Sequence, residues 1–414
     1  MNTTSDRLMA DFAAICDCGG RQSGTPSESA ATALLKSLGQ EVSGVPARIE
    51  DVPYSGWAAV SGTLRLPDGR IVAANPLLRT VATPPKGGLR AQVIDLGRGT
   101  MEEFAAHRCE IAGRIVMVRH ELMFNAGTIH RRLKYNAAVD AGAIGFLIAG
   151  PVEDSSVAGS SGRGEEPGIP AAGIDPATAR ALARTSKGWP EVELRIETRD
   201  HDAVAQNLIF DIPGTSDDWV VLSAHIDGHA LAESALDNAT GLAVALEVTR
   251  RLAPSVAKAR RGLRLAFFNV EEWALTGSLA HLRAMSAAQR GTIALNVNLD
   301  TVAGADTLTA LTSGFQNIEP FLLDCAQSVG QHLGLFRPLQ MNSDHGNFAE
   351  AGIPAFRLVA GFGEANAATS LVLTKKDNRS LASAAQLTKA AILSREIVER
   401  ALDVPIERAA AWRG

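Results

Sequence analysis

From about residue 205 the chain alternates short apolar runs with stretches of helical period, a pattern that few architectures accept. Trp219–Ala224, Leu263–Val270, Ile293–Leu299 and Ala355–Ala360 are predominantly apolar and of strand length, so they read as buried strands. Between and after them, helices are predicted over Ala239–Leu252, Thr276–Ala287, Phe315–Leu333 and Ser383–Ala401. In the first of these, Leu242, Val244, Leu246, Val248 and Leu252 are among the apolar positions. Strands alternating with helices define an α/β class, a mixed and mostly parallel sheet sandwiched by helices.

The first 50 residues and the middle of the chain differ from this. Residues 3–40 read as helical, with a helix over Gly24–Leu38 that Thr25 or Ser27 caps and Pro26 opens. From about residue 50 the texture becomes β-rich, with runs at Val60–Leu66, Ala91–Leu96 and Arg114–Val118 and a helix over Arg131–Ala141. At roughly 150 residues per domain, a chain of 414 residues is most simply two domains.

Composition excludes several function classes. Hydrophobic residues at 46% and charged residues at 21% describe a folded globular protein and rule out a mainly disordered one. Forty Lys and Arg against 45 Asp and Glu give a net charge of -5, which argues against a nucleic-acid partner bound through a basic face. No apolar stretch reaches the roughly 18 residues of a membrane span. The opening MNTTSDRLMADFAAICDCGG lacks the basic and apolar regions of a signal peptide. With only Cys16, Cys18, Cys109 and Cys325, a reduced, cytoplasmic protein is expected.

Chemistry is expected at the carboxyl ends of the strands, where open α/β sheets bind ligands. The first strand runs into His225-Ile226-Asp227, the second into Glu271-Glu272, the third into Asp300. Alone, such an Asp is usually a helix cap, such a Glu pair a solvated surface, such a His a partnered wall residue. Together they bring imidazole and carboxylates from distant parts of the sequence to one edge, which is what a zinc or other divalent ion requires.

These motifs resemble the zinc aminopeptidase superfamily that includes glutamate carboxypeptidase II and the glutaminyl cyclases. The resemblance runs from about Val204 to Arg400. It rests on His-x-Asp at 225–227, Asp-Asn-Ala-Thr-Gly at 237–241, Glu-Glu at 271–272, Asn-Leu-Asp at 298–300, Ser-Asp-His-x-x-Phe at 343–348 and Gly-Ile-Pro at 352–354. Ala112–His120 through Lys134–Ile148 resembles the protease-associated domain often inserted in that family. The resemblance implies a catalytic domain of residues 1–49 and 198–414 around an insert of residues 50–197.

It also implies roles. His225 and Asp300 would hold one metal and Glu272 a second, Glu271 would be the general base, and Asp227 would orient His225. Two usual ligand positions, however, hold Leu236 and Leu373, so a single ion per chain is expected. His229 or Glu233 could fill the gap left by Leu236. His345 is a further candidate, as a ligand or as the donor that stabilises an oxyanion, since Tyr54 and Tyr135 both fall in the expected insert. The implied activity is metal-dependent hydrolysis of amide bonds in small peptides or amino-acid amide conjugates. An inactive binding protein, or an acyl-transfer enzyme similar to glutaminyl cyclase, are the alternatives. A homo-oligomer is compatible with all three.

Overall fold

The computed structural model describes residues 3–122, 124–164, 167–184, 186 and 188–413. Met1 and Asn2 of the amino-terminal stretch read for a leader therefore lie outside the described residues. The chain forms two compact units. One comprises 1–54, 204–369 and 377–414, the other 55–203 and 370–376.

The first unit is built on a mixed sheet. Its centre is four parallel strands in the order Ala355–Ala360, Ile293–Leu299, Trp219–His225, Gly262–Phe268. Antiparallel partners flank them, Leu308–Leu311 on one side and the end of Glu191–Ile212 on the other. Leu333–Phe336 closes the far edge in parallel with Leu308–Leu311. Gly262–Phe268 and Ala355–Ala360 are buried at every position, as strands covered on both faces must be. Thr240–Val256 packs against Ala384–Asp403, and both cover the central strands.

Local signals explain several elements. Pro26–Ser43 begins where Thr25 caps it by accepting the Glu28 amide, with Pro26 in its first turn, and ends at Gly44 in the left-handed region. Thr240–Val256 starts at Asp-Asn-Ala-Thr-Gly because only glycine fits at position 241: a Cβ there would lie 2.3 Å from the Leu299 carbonyl oxygen. The stretch Phe315–Leu333, expected as one helix, is a short 3-10 turn, a helix over Glu319–Ser328 and then a strand.

The second unit has its own sheet and core. Leu89–Asp95, Ile115–Arg119, Gly145–Ala149 and Ala171–Ile174 are parallel neighbours, and Asn75–Pro76 pairs antiparallel with the last. Val93, Ile115, Met117, Leu147, Ala172 and Leu194 form part of its fully buried interior.

Candidate metal centre

The central strands of the first unit end at one edge. Phe268 lies in register with His225, so the chain leaving either strand enters the same space. His225 is the last residue of its strand and is buried. Its Nδ1 donates to the Asp227 carbonyl at 3.0 Å, which fixes the tautomer and leaves the Nε2 lone pair free. Nε2 lies 3.0 Å from Asp237 Oδ1 and 3.7 Å from Asp300 Oδ1, and no aligned hydrogen bond satisfies it. A lone pair facing two carboxylates is repulsive unless a cation stands among them. Donors about 2.0–2.2 Å from one tetrahedral zinc are about 3.4 Å apart, and the two observed separations fall on either side of that value. The residues therefore fit a divalent ion.

The Glu271 carboxylate completes the group. Donor atoms of His225, Glu271 and Asp300 lie within 4.8 Å of one another, all in buried residues. Burial opposes a charged His225, but Glu271, Asp237 and Asp300 around it outweigh that and raise its pKa well above the usual range. The same edge thus favours positive charge, proton or metal. Burial, with Glu272, Asp344 and Asp300 nearby, raises Glu271 well above the ordinary carboxylate range. Asp300 goes the other way: its burial is overcome by Arg357, 3.2 Å away, and by His225, and it stays ionised.

The backbone that delivers these groups departs from ordinary strand geometry. Val270, just before Glu271, has φ 50°, and Thr301, just after Asp300, has φ 60°. For β-branched residues such values are costly and persist only where the surroundings over-determine them. At Val270 the cause is visible. Asn269 accepts the Val270 amide at 2.9 Å, and its own amide donates to Asn207 at 3.0 Å. The Asp227 carboxylate then accepts the amides of Glu271 and Glu272 at 2.9 and 3.1 Å and the Ser23 hydroxyl at 3.0 Å. Asp227 was expected to orient His225 with its carboxylate. Its carbonyl makes the hydrogen bond, its carboxylate lies 3.9 Å from the same nitrogen, and that carboxylate also holds the Glu271–Glu272 loop.

Below the edge, a buried polar network ties the strands to the Ser343–His345 segment. Ser223 donates to Asn298 at 2.8 Å, Asn296 to Ser223 at 2.9 Å, and Asn298 to Ser343 at 2.7 Å. Asp344 is fully buried with neither oxygen hydrogen-bonded, and burial pushes it up to about 7. His345 is also fully buried with both ring nitrogens unsatisfied, and burial with Arg357 nearby pushes it down to about 3. A neutral imidazole can still donate through one nitrogen. It is not one of the grouped metal donors.

Several sequence expectations are corrected by this geometry. Leu236 does not leave the edge without a carboxylate, because the next residue, Asp237, faces His225. Leu236 is instead fully buried. Glu233 is not near the centre: its carboxylate is engaged by Arg379 at 2.8–3.1 Å. The buried His229 points at Asp377, with Nε2 3.7 Å from Oδ2. Of the Glu pair, Glu271 contributes to the donor group around His225, while Glu272 is half-buried beside it. Tyr54 belongs to the first unit, where its ring meets Trp273 edge-on at 5.5 Å. Leu373 remains a position without a donor atom, and lies in the second unit.

A central parallel sheet with imidazole and carboxylates converging at its carboxyl edge is an arrangement able to hold a divalent ion. Residues 207–398 match the model of peptidase family M28, and residues 74–182 match the PA domain. The chain is thus a peptide hydrolase whose peptidase-matching segment follows an inserted protease-associated domain. It is 24% identical over 385 residues to the probable lipoprotein aminopeptidase LpqL of Mycobacterium tuberculosis, covering 86% of this chain and 74% of that protein. It is 25% identical to aminopeptidase YwaD of Bacillus subtilis, covering 66% of this chain and 58% of that one. The fold is shared with BSAP, a zinc aminopeptidase from Bacillus subtilis, at a TM-score of 0.76 and 23% identity over 97% of this chain and 95% of that one. It is shared too with a peptidase M28 precursor from Shewanella amazonensis, at a TM-score of 0.78 and 17% identity over 98% and 94%.

Proposed function

We propose that the chain is an aminopeptidase-like hydrolase of small peptides or amino-acid amides that works with a single divalent ion, zinc by preference. The observation that carries this reading is the His225 Nε2 lone pair facing Asp237 and Asp300 with no hydrogen-bond partner. Those three residues would hold the ion. Such an ion, when bound, polarises the scissile carbonyl and acidifies water. Glu271 takes the proton released by the attacking water and returns it to the leaving amine, a task suited to a buried carboxyl whose pKa is raised. Asp227 keeps Glu271 in reach through the two amides it accepts. Arg357 holds Asp300 ionised. Leucine at position 373 supports one ion over two, since it offers no donor. The four free cysteines support a reducing compartment such as the cytoplasm.

The test is elemental analysis of protein purified without chelator, alongside hydrolysis of aminoacyl amides. One equivalent of metal per chain is expected, with activity removed by a chelator and restored by zinc. Two equivalents at full occupancy would sink the one-ion reading.

A further inference from the structure

Asp377 is fully buried, on the chain that returns to the first unit after residue 376. Its Oδ1 accepts the backbone amide of Leu236 at 2.8 Å. Its Oδ2 has no hydrogen-bond partner and faces His229 Nε2 at 3.7 Å. His229 Nδ1 accepts the Leu231 amide at 3.3 Å, so the proton of the neutral ring is on Nε2, aimed at Asp377. A distance of 3.7 Å is too long for a direct hydrogen bond, yet it sets the imidazole proton against the carboxylate.

The Leu236 amide immediately precedes Asp237. The Leu236 carbonyl accepts the Thr240 hydroxyl at 2.8 Å. On the far side of Asp237, Asn238 accepts the amides of Gly241 and Thr301 at 3.0 and 3.3 Å and donates to the Leu299 carbonyl at 2.9 Å. Upstream, the buried Arg21 donates to the carbonyls of Ile226, Glu233 and Ser234. Asp237 therefore projects from a backbone pinned on both sides, and Asp377 is the pin that grips the residue immediately before it, from 141 residues away.

We propose that the buried His229–Asp377 pair is a positioning device for Asp237. It fixes the Leu236 backbone so that the Asp237 carboxylate meets His225, and it thereby sets the affinity of the centre for its divalent ion. The inference rests on the single-ion reading above. Neither residue touches the donor group; both act through the Leu236 amide. Partners of this kind behind metal ligands typically change affinity or activity by about 10–100-fold.

Zinc affinity of the full chain, measured by competition with a chromophoric chelator, tests this. Asp377→Ala is expected to lower affinity at least about tenfold. Asp377→Asn, which keeps an acceptor for Leu236, should restore most of it. His229→Leu should move affinity the same way by a smaller factor, and Asp324→Asn, an exposed control, should not move it. In the metal-free protein, hydrogen exchange of the Leu236 amide should accelerate in Asp377→Ala and not in Asp377→Asn. Wild-type affinity in Asp377→Ala, or equal loss in Asp377→Asn and Asp377→Ala, overturns the device. Should Asp377→Ala fail to fold, Asp377→Asn and His229→Leu decide it, and unchanged affinity and exchange in His229→Leu removes the pair. A wild-type chain that binds no zinc fails the single-ion reading itself, and the device with it; exchange at Leu236 then shows separately whether Asp377 pins the backbone.

Discussion

At the scale of single residues, the proposed mechanism assigns proton transfer to Glu271 and metal binding to His225, Asp237 and Asp300. Glu271→Gln keeps the shape of the side chain but cannot accept a proton at neutral pH. Its turnover should fall by about 10²–10⁴-fold while bound zinc stays near the wild-type level. Metal lost together with activity would make Glu271 a ligand, which its place within the donor group allows. Glu233→Ala, by contrast, should leave metal content unchanged, because that carboxylate is spent on Arg379. His225, Glu271 and Asp300 were legible because each terminates a run of unmistakable strand character. Asp237 was not. Its backbone, at φ -116° and ψ 89°, interrupts a helical turn, and no periodicity tells which residue of Leu236-Asp237-Asn238 looks toward the sheet. Asp344 is hidden for a similar reason. It occupies the residue before a short helix, where an aspartate normally caps, and here it makes no cap bond.

Among the elements, buried strands are legible in the sequence and short edge strands are not. Leu308–Leu311 and Leu333–Phe336 are four residues each, and short apolar runs cannot be told from helix by period alone. What holds the elements together is also invisible in local sequence. Glu50, on the strand that leads out of the first unit, meets Nδ1 of the buried His281 at 2.9 and 3.0 Å. His281 belongs to the helix Thr276–Ala284, which follows the Glu271–Glu272 loop. Burial alone would raise Glu50, but His281 and Arg48 overcome it and pull the carboxyl from its ordinary 4.5 down to about 2. A folded pKa below the unfolded one stabilises fully above the unfolded value, and that contribution is lost as pH falls toward the folded one. The window is therefore about pH 4.5 to 2, and the contribution at neutral pH is about 2–3 kcal/mol. Glu50→Gln should lower the urea midpoint at pH 6 accordingly, and by pH 3 the gap to wild type should have narrowed by about half. A gap that is constant with pH would mean that packing, not ionisation, makes Glu50 matter.

For the molecule as a whole, the second unit does not end where the chain leaves it. The resemblance implies an insert of residues 50–197, and nothing in Ser370–Lys376 hints that this segment belongs with it. In the structure Ser370–Lys376 joins residues 55–203. The Ala158 amide donates to the Leu373 carbonyl at 2.8 Å, Val157 bridges Thr374 in antiparallel fashion, and the Lys375 amide donates to the Ser155 hydroxyl at 3.0 Å. Such pairing is set by long-range docking, so local propensity carries no trace of it. The consequence is that the position where the resemblance places a final metal-binding histidine, Leu373, is held by the insert's own backbone, two residues before Lys375 and four before Asp377. Ser155→Ala removes one of these holds, worth about 1 kcal/mol. Hydrogen exchange across 371–376 should then accelerate by about fivefold, the equivalent of that energy, while the strands Trp219–His225 and Ile293–Leu299 keep their protection. If 371–376 exchanges at the wild-type rate, the segment is ordered by something other than its pairing with residues 155–158. If the central strands accelerate as well, the two units do not open independently, and the substitution reports global rather than local stability.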